Sequence, residues 1–353
     1  MSAPPHPQHG HASPAFAQVF AEITSPSGLP AATLGRVFDA ILAGEWTSAQ
    51  IAALLVALRM RGETPAQVAA AASAMRRAMV PVEHGLPVVL DTCGTGGDGA
   101  HTLNISTGAA VIAAACGVVV AKHGNRAVSS RSGSADVLEA LGIPLDVPAA
   151  RAHEVLAEAG IAFLMAPAHH PAMRHAAPTR RELGIRTLFN VLGPLANPAR
   201  ASHQLLGAYD DALRPLLAET LRELGLVRAW VVRGTDGLDE VSPHAPTRVT
   251  ELANGALREL EVTPEDFGLP RLPVEAIRGG DATENARVLE RVLGGGEHPS
   301  RDAFVLNAAA ALVVAQGLEP KAATARARAA LENGDAARAL ERWRAAARAR
   351  KPS

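Results

Sequence analysis

The chain has 353 residues, 48% hydrophobic and 20% charged, with 34 Lys and Arg against 35 Asp and Glu for a net charge of −1. That length exceeds what one compact core ordinarily fills, so two domains are expected. The neutral balance excludes an electrostatic case for nucleic acid or an anionic membrane, and the two cysteines, Cys93 and Cys116, exclude a disulfide framework.

Residues 1–13 are rich in Pro and His and lack the apolar stretch of a secretory signal. A disordered tail is expected over 1–14, with no fixed role for His6, His9 and His11, and the protein is expected in the cytoplasm. From 15 to 80 the pattern is helical. Phe16, Val19, Phe20 and Ile23 mark one apolar stripe, and Leu34, Val37, Phe38 and Ile41 the next. Thr47 and Thr64-Pro65 predict helix starts. The reading is a small all-helical domain of four helices over 15–82.

From 88 onward, strand-like and helical runs alternate, which is the mark of a parallel sheet in an α/β domain. Strands are predicted at 88–91, 118–121, 161–165, 204–207 and 229–233. Helices are predicted at 105–115, 135–141, 149–159, 212–224 and 284–293. Asn254-Gly255 lies between alternating runs at 248–252 and 256–262 and predicts a hairpin, adding antiparallel strands at one edge. Cys93 reads as a turn residue and Cys116 as a small buried one. The longest apolar run, 109–121, falls short of the roughly 20 residues that span a bilayer. Residues 169–191 read as helical, with Gly193-Pro194 and Asn197-Pro198 as a hinge. The segment 168–195 is expected to pack back on the helical domain, which leaves 83–167 and 196–353 as the α/β domain. The C-terminal stretch reads as helical with a break at Asn333-Gly334-Asp335, and its arginines, interleaved with Glu332 and Glu341, read as a solvated face.

The chemistry concentrates between 88 and 134. A predicted strand ends in Gly94-Thr95-Gly96-Gly97-Asp98-Gly99, and the next ends in Lys122-His123-Gly124-Asn125-Arg126, followed by Ser129, Ser130, Ser132 and Ser134. Exposed N–H groups, hydroxyls and two cations at neighbouring strand ends make a cradle for a group with several phosphate charges. The glycine pattern also fits a nicotinamide-dinucleotide loop. However, residues 100–103 separate it from its helix, and the following strand ends in Lys122-His123 rather than an acid. Asn104, Ser106 and Thr107 exceed what one helix cap requires. Asp239-Glu240, after another predicted strand, supplies the carboxylates with which a polyphosphate site holds Mg²⁺. An arginine of Arg180-Arg181-Glu182-Leu183-Gly184-Ile185-Arg186 facing the cleft offers a fork to a substrate carboxylate.

GTGGDG at 94–99, NIST at 104–107, KHGN at 122–125, RRELGIRT at 180–187, GPLANP at 193–198 and GLDE at 237–240 together resemble the anthranilate phosphoribosyltransferase family. The resemblance covers nearly the whole chain after the tail. It implies a helical domain beside a larger α/β domain with a mostly parallel central sheet, of the class shared with pyrimidine nucleoside phosphorylases, and a homodimer formed through the helical domain. It implies transfer of the phosphoribosyl group from 5-phosphoribosyl 1-diphosphate to anthranilate, with two Mg²⁺ ions and no nucleic-acid or membrane partner. The matching contacts to the diphosphate sugar are Gly94, Gly97, Asp98, Thr102, Asn104, Ile105, Ser106, Thr107, Lys122, His123, Gly124, Asn125, Arg126, Ala127, Val128, Ser129, Ser130 and Ser134. The matching metal ligands are Ser106, Asp239 and Glu240. Gly94, Asn125 and Arg180 match the anthranilate contacts, and Lys122, Asn125 and Arg180 the catalytic groups. Departures from the pattern, Leu103, Gly108 and His244-Ala245, bear on packing.

An aromatic amine is a weak nucleophile, so this reaction implies a transition state in which the bond from the sugar to diphosphate is largely broken. The protein then has to stabilise charge growing on the leaving group and hold the amine near the sugar carbon. Two other readings remain at this stage: a pyrimidine nucleoside phosphorylase-like enzyme and a non-catalytic relative that binds nucleic acid.

Overall fold

The computed structural model describes residues 14–127 and 131–348. The tail with its histidines lies outside the described residues, as do Val128, Ser129 and Ser130.

Four helices open the chain: α1 (Phe16–Thr24), α2 (Ala31–Ala43), α3 (Ser48–Arg61) and α4 (Pro65–Ala78). Thr47 and Thr64 cap α3 and α4 as predicted. Each hydroxyl accepts the N–H of Gln50 or Gln67, whose amide oxygen takes the cap residue's own N–H in return. The α/β part follows with β1 (Leu90–Gly94), α5 (Ile105–Ala115), β2 (Val120–Gly124), α6 (Ser134–Ala140), α7 (Ala152–Ala159) and β3 (Ile161–Met165). Next come α8 (Ala166–His169), α9 (Ala177–Leu183), α10 (Phe189–Leu195), β4 (His203–Gly207), α11 (Leu213–Glu223) and β5 (Arg228–Gly234). The chain ends with β6 (Thr247–Ala253), β7 (Ala256–Val262), α12 (Ala282–Leu293), α13 (Arg301–Gln316), α14 (Pro320–Glu332) and α15 (Asp335–Arg348).

The seven strands form one sheet in the order β3-β2-β1-β4-β5-β6-β7. The first five named run parallel, and β6 and β7 are antiparallel. The hairpin is where the sequence predicts it: Asn254 and Gly255 both have positive φ, 52° and 75°, as a tight two-residue turn requires. β7 is left as an open edge of the sheet. The sheet's faces serve two apolar clusters, and strand alternation assigns them. Leu205 and Val232 join α5, α13 and α15 on one side, while Leu206 and Val231 join α2, α3, α4, α10 and α11 on the other. Ala176, Leu188, Phe189, Val191, Leu192 and Leu195 therefore share a core with the N-terminal helices, although that core also continues into the sheet.

Several expectations are corrected. β1 and β2 begin two residues later than predicted and run on into polar residues. Cys93 lies within β1, not in a turn, and its Sγ accepts from Gln204 Nε2 at 3.2 Å. Residues 169–191 are not one helix, because Pro171 starts a separate 3₁₀ turn and Gly184 ends α9 in a left-handed conformation. Gly193-Pro194 is no hinge: it forms the last turn of α10, where a proline removes only one helical hydrogen bond. The helix α13 is absent from the predicted set. Residues 303–315 are buried on every side, so they carry no amphipathic period. Among the described residues no single helix is long and apolar enough to cross a membrane.

Candidate active site

The order of the parallel strands reverses between β1 and β4, and ligands of open α/β sheets bind at the C-terminal ends of strands flanking such a point. A cleft of about 1210 Å³ opens there. The glycine loop after β1 forms one wall, residues 125–127 and 131–134 form another, and Asp239 and Glu240, which follow β5, close the third. Glycines end the strands for a steric reason. A Cβ on Gly94 would stand 2.5 Å from Asp239 Oδ2, and one on Gly207 would collide with the Asp239 carbonyl. Absent side chains at these two positions let the acidic loop lie against the sheet.

The carboxylates are held from below. Asp239 Oδ2 accepts the Gly96 N–H at 3.1 Å, and Glu240 Oε1 accepts the Ser106 N–H at 3.1 Å, at the N-terminus of α5. Burial raises the pKa of Asp239, and Asp98 raises it further; burial and Asp239 do the same for Glu240. Hard oxygen donors, crowded so that their own charges repel, suit a divalent cation. Among the described residues no three His, Cys, Asp or Glu converge as a closed metal cage.

Of the residues named from the sequence, Gly94, Gly97, Asp98, Thr102, Asn104, Ser106, Thr107, Lys122, His123, Gly124, Asn125, Arg126, Ala127, Ser134, Arg180, Asp239 and Glu240 all line this cleft. Ile105 does not; its side chain is fully buried in the core. The two cations expected at the strand ends are not free at the surface. Lys122 is 2% exposed, and its Nζ donates to the Thr92 carbonyl at 2.5 Å and Ser106 Oγ at 3.2 Å. Burial pushes this amine down, and Asp91 chiefly opposes the shift. Arg126 is engaged by Asp136 at 3.0 Å and Glu139 at 2.8 Å. The His123 ring is buried on the far side of β2, with Nδ1 3.0 Å from the Gly193 carbonyl. Asn104 sits at the N-cap of α5 without capping it; its amide donates to the Ser132 carbonyl at 3.3 Å and accepts from Asn285 at 2.9 Å. Arg180 lies 5.3 Å from the centre of the Phe189 ring, half-buried, and burial lowers its pKa.

Three contributors escaped the sequence reading. Arg186 stacks on Tyr209 at 3.7 Å and donates to the Gly97 carbonyl, tying the segment after α9 to the glycine loop. The signal was present, because Arg186 belongs to the quoted arginine run. Asn285 buttresses Asn104 from α12, and nothing local marks it. Asp91 is fully buried in β1. Burial pushes its carboxyl up to about 6, while Asn197, Lys122 and the His123 N–H pull it back.

The chain is similar to known proteins over most of its length. Residues 86–337 match the pattern described as "Glycosyl transferase family, a/b domain", and residues 21–79 match "Glycosyl transferase family, helical bundle domain". An anthranilate phosphoribosyltransferase of Symbiobacterium thermophilum is 52% identical over 311 residues, 86% of this chain and 89% of its own. The crystal structure of anthranilate phosphoribosyltransferase from Thermus thermophilus superposes with a TM-score of 0.87 at 47% identity, covering 91% of this chain and 96% of that one. The Saccharomyces cerevisiae anthranilate phosphoribosyltransferase, in complex with PRPP and Mg, superposes with a TM-score of 0.87 at 30% identity, covering 94% and 97%.

Proposed function

The chain belongs to the anthranilate phosphoribosyltransferases of the glycosyl transferase family, and from that membership we propose the residues with which it carries out the family's reaction. It transfers the 5-phosphoribosyl group of 5-phosphoribosyl 1-diphosphate to the amine of anthranilate, releasing diphosphate, a step of tryptophan biosynthesis. One observation carries the assignment of residues: motifs far apart in the chain line a single cleft at the switch point of the sheet.

In this reading the glycine-loop N–H groups, Asn104, Ser106, Thr107 and the N-terminus of α5 receive the diphosphate, where negative charge grows as the sugar bond breaks. Ser106, Asp239 and Glu240 would hold Mg²⁺, with Asp98 beside them for a second ion. When bound, the metal neutralises charge on the leaving diphosphate. Asn125 and Arg180 orient anthranilate, the Arg180 fork taking its carboxylate. Lys122 acts from the floor of the cleft by fixing Ser106 Oγ and the Thr92 carbonyl. Residues 15–82 with 168–195 constitute the helical domain and form a homodimer, and residues 83–167 with 196–353 constitute the catalytic domain. The reaction runs in the cytoplasm.

A turnover assay tests the reading. Protein mixed with Mg²⁺, 5-phosphoribosyl 1-diphosphate and anthranilate should extinguish anthranilate fluorescence and release one diphosphate per anthranilate consumed. Unchanged fluorescence, with thymidine and phosphate cleaved instead, would assign the chain to nucleoside phosphorolysis.

A further inference from the structure

The sheet is not evenly zipped beneath the cleft. β1 pairs with β4 at five register positions, and β2 with β3 at five. β1 pairs with β2 at one alone, Leu90 with Val120. Past that point no ladder pair joins the two strands, and these are the strands whose ends carry the glycine loop and the KHGN corner. Buried ladder groups left without a strand partner are costly. Here side chains take them. Asp91 Oδ1 accepts the His123 N–H at 3.1 Å, Lys122 Nζ donates to the Thr92 carbonyl at 2.5 Å, and Asn197 Nδ2 donates to the Ala121 carbonyl at 2.8 Å. The Asn197 amide oxygen is itself fixed by the Ala199 N–H at 2.8 Å. The three side chains are 0%, 2% and 3% exposed. They therefore contribute no surface of their own to the cleft beyond the inner end of Lys122.

We propose that Asp91 and Asn197 are positioning residues: with Lys122 they form a buried polar wedge that holds the ends of β1 and β2 apart and so sets the width of the substrate cleft. This rests on the assignment of the cleft to the diphosphate sugar and anthranilate. It also gives the GPLANP stretch a task, since that stretch supplies Asn197 but no wall of the cleft. Two strands joined directly would stand about 4.8 Å apart along their whole length. That spacing would draw Asn125 toward Gly94 and close the space into which the sugar has to fit. Removing the Asp91 carboxyl leaves the buried His123 N–H without its acceptor, and the strands relieve that by moving together.

The test is steady-state kinetics with 5-phosphoribosyl 1-diphosphate, Mg²⁺ and anthranilate on the full chain, with thermal unfolding followed in parallel. Wild-type turnover tests the assignment of the cleft; variant-to-wild-type ratios test the wedge. Asp91→Ala and Asn197→Ala should raise KM for the diphosphate sugar by about tenfold or more, whereas Asp91→Asn, which keeps an oxygen for the His123 N–H, should stay within about threefold. The proposal is overturned if Asp91→Asn is as impaired as Asp91→Ala. It is equally overturned if the alanine variants keep wild-type KM and kcat and lose only unfolding temperature. Should Asp91→Ala fail to fold, Asn197→Ala decides between a raised KM and a purely thermal defect.

Discussion

His123 and His170 face each other across 5.1 Å, each with a buried Nε2 that no protein group reaches. Burial pushes His123 down to about 3 and His170 to about 4. Both imidazoles are therefore neutral at pH 7, and a ring with so little affinity for a proton makes His123 a weak general base there. An anilinium-like product sheds its proton readily, so the chemistry does not call for one. The same pair makes stability depend on pH. An unfolded histidine titrates near ~6.5, above the folded values, so the unfolded chain gains protons first on acidification. The stability these rings allow is complete above about pH 6.5 and lost as the pH falls toward 4, at up to roughly 1.4 kcal/mol per unit for each ring. His170→Gln should accordingly lose less unfolding temperature between pH 7 and pH 5 than wild type does, measured by calorimetry. An equal or larger loss would remove His170 from the acid-sensitive set.

Helix α5 carries the site's hydroxyls at one end and packs its flank on α13. A Cβ on Gly108 would lie 2.5 Å from the Phe304 ring, so this glycine is a packing device. Glycine to alanine ordinarily favours a helix interior by about 1 kcal/mol. Here overpacking, at about 1–3 kcal/mol, should outweigh it. Gly108→Ala should lower stability in urea unfolding, and adding Phe304→Leu should restore part of the loss. Element by element, the sequence was most legible where one face is apolar and the other polar. Helix α5, strand β3 and the Asn254-Gly255 hairpin agree with the reading. It was least legible where polar residues are buried. β1 and β2 run on through Thr92-Cys93 and Lys122-His123, and a hydropathy pattern stops at the last valine or leucine. The break at Gly184 was lost for a related reason: the residues around it still recur at helical spacing, and tertiary contacts decide where the short helix ends.

At the scale of the whole molecule, the cleft joins parts that are anchored differently. Its floor belongs to the sheet, whereas Arg180 and Arg186 come from the segment rooted among the N-terminal helices. A ligand that fills it ties the two together and stabilises the entire chain. Mg²⁺ with 5-phosphoribosyl 1-diphosphate at 100 times its dissociation constant should add about 2.7 kcal/mol, visible as a raised melting temperature. In Asp239→Asn with Glu240→Gln that rise should vanish at the same Mg²⁺ concentration; an undiminished rise would remove the two carboxylates from the metal site. The motifs quoted from the sequence come together in this cleft because they follow strand ends in chain order. What supports them, Asp91, Asn197 and Asn285, was invisible: a buried Asp or Asn inside an apolar stretch has no local pattern to distinguish support from accident.

The outermost strand, β7, ends the sheet with its backbone unpaired on one side. Arg258, Glu259 and Glu261 punctuate it, with Arg258 and Glu259 drawn into pairs with Glu251 and Arg214. A stranger's strand docking along that rim would have to bury formal charges of both signs without water. Crowded solutions of this protein should accordingly resist fibril growth along that margin, and the hairpin serves as a seal as much as an extension.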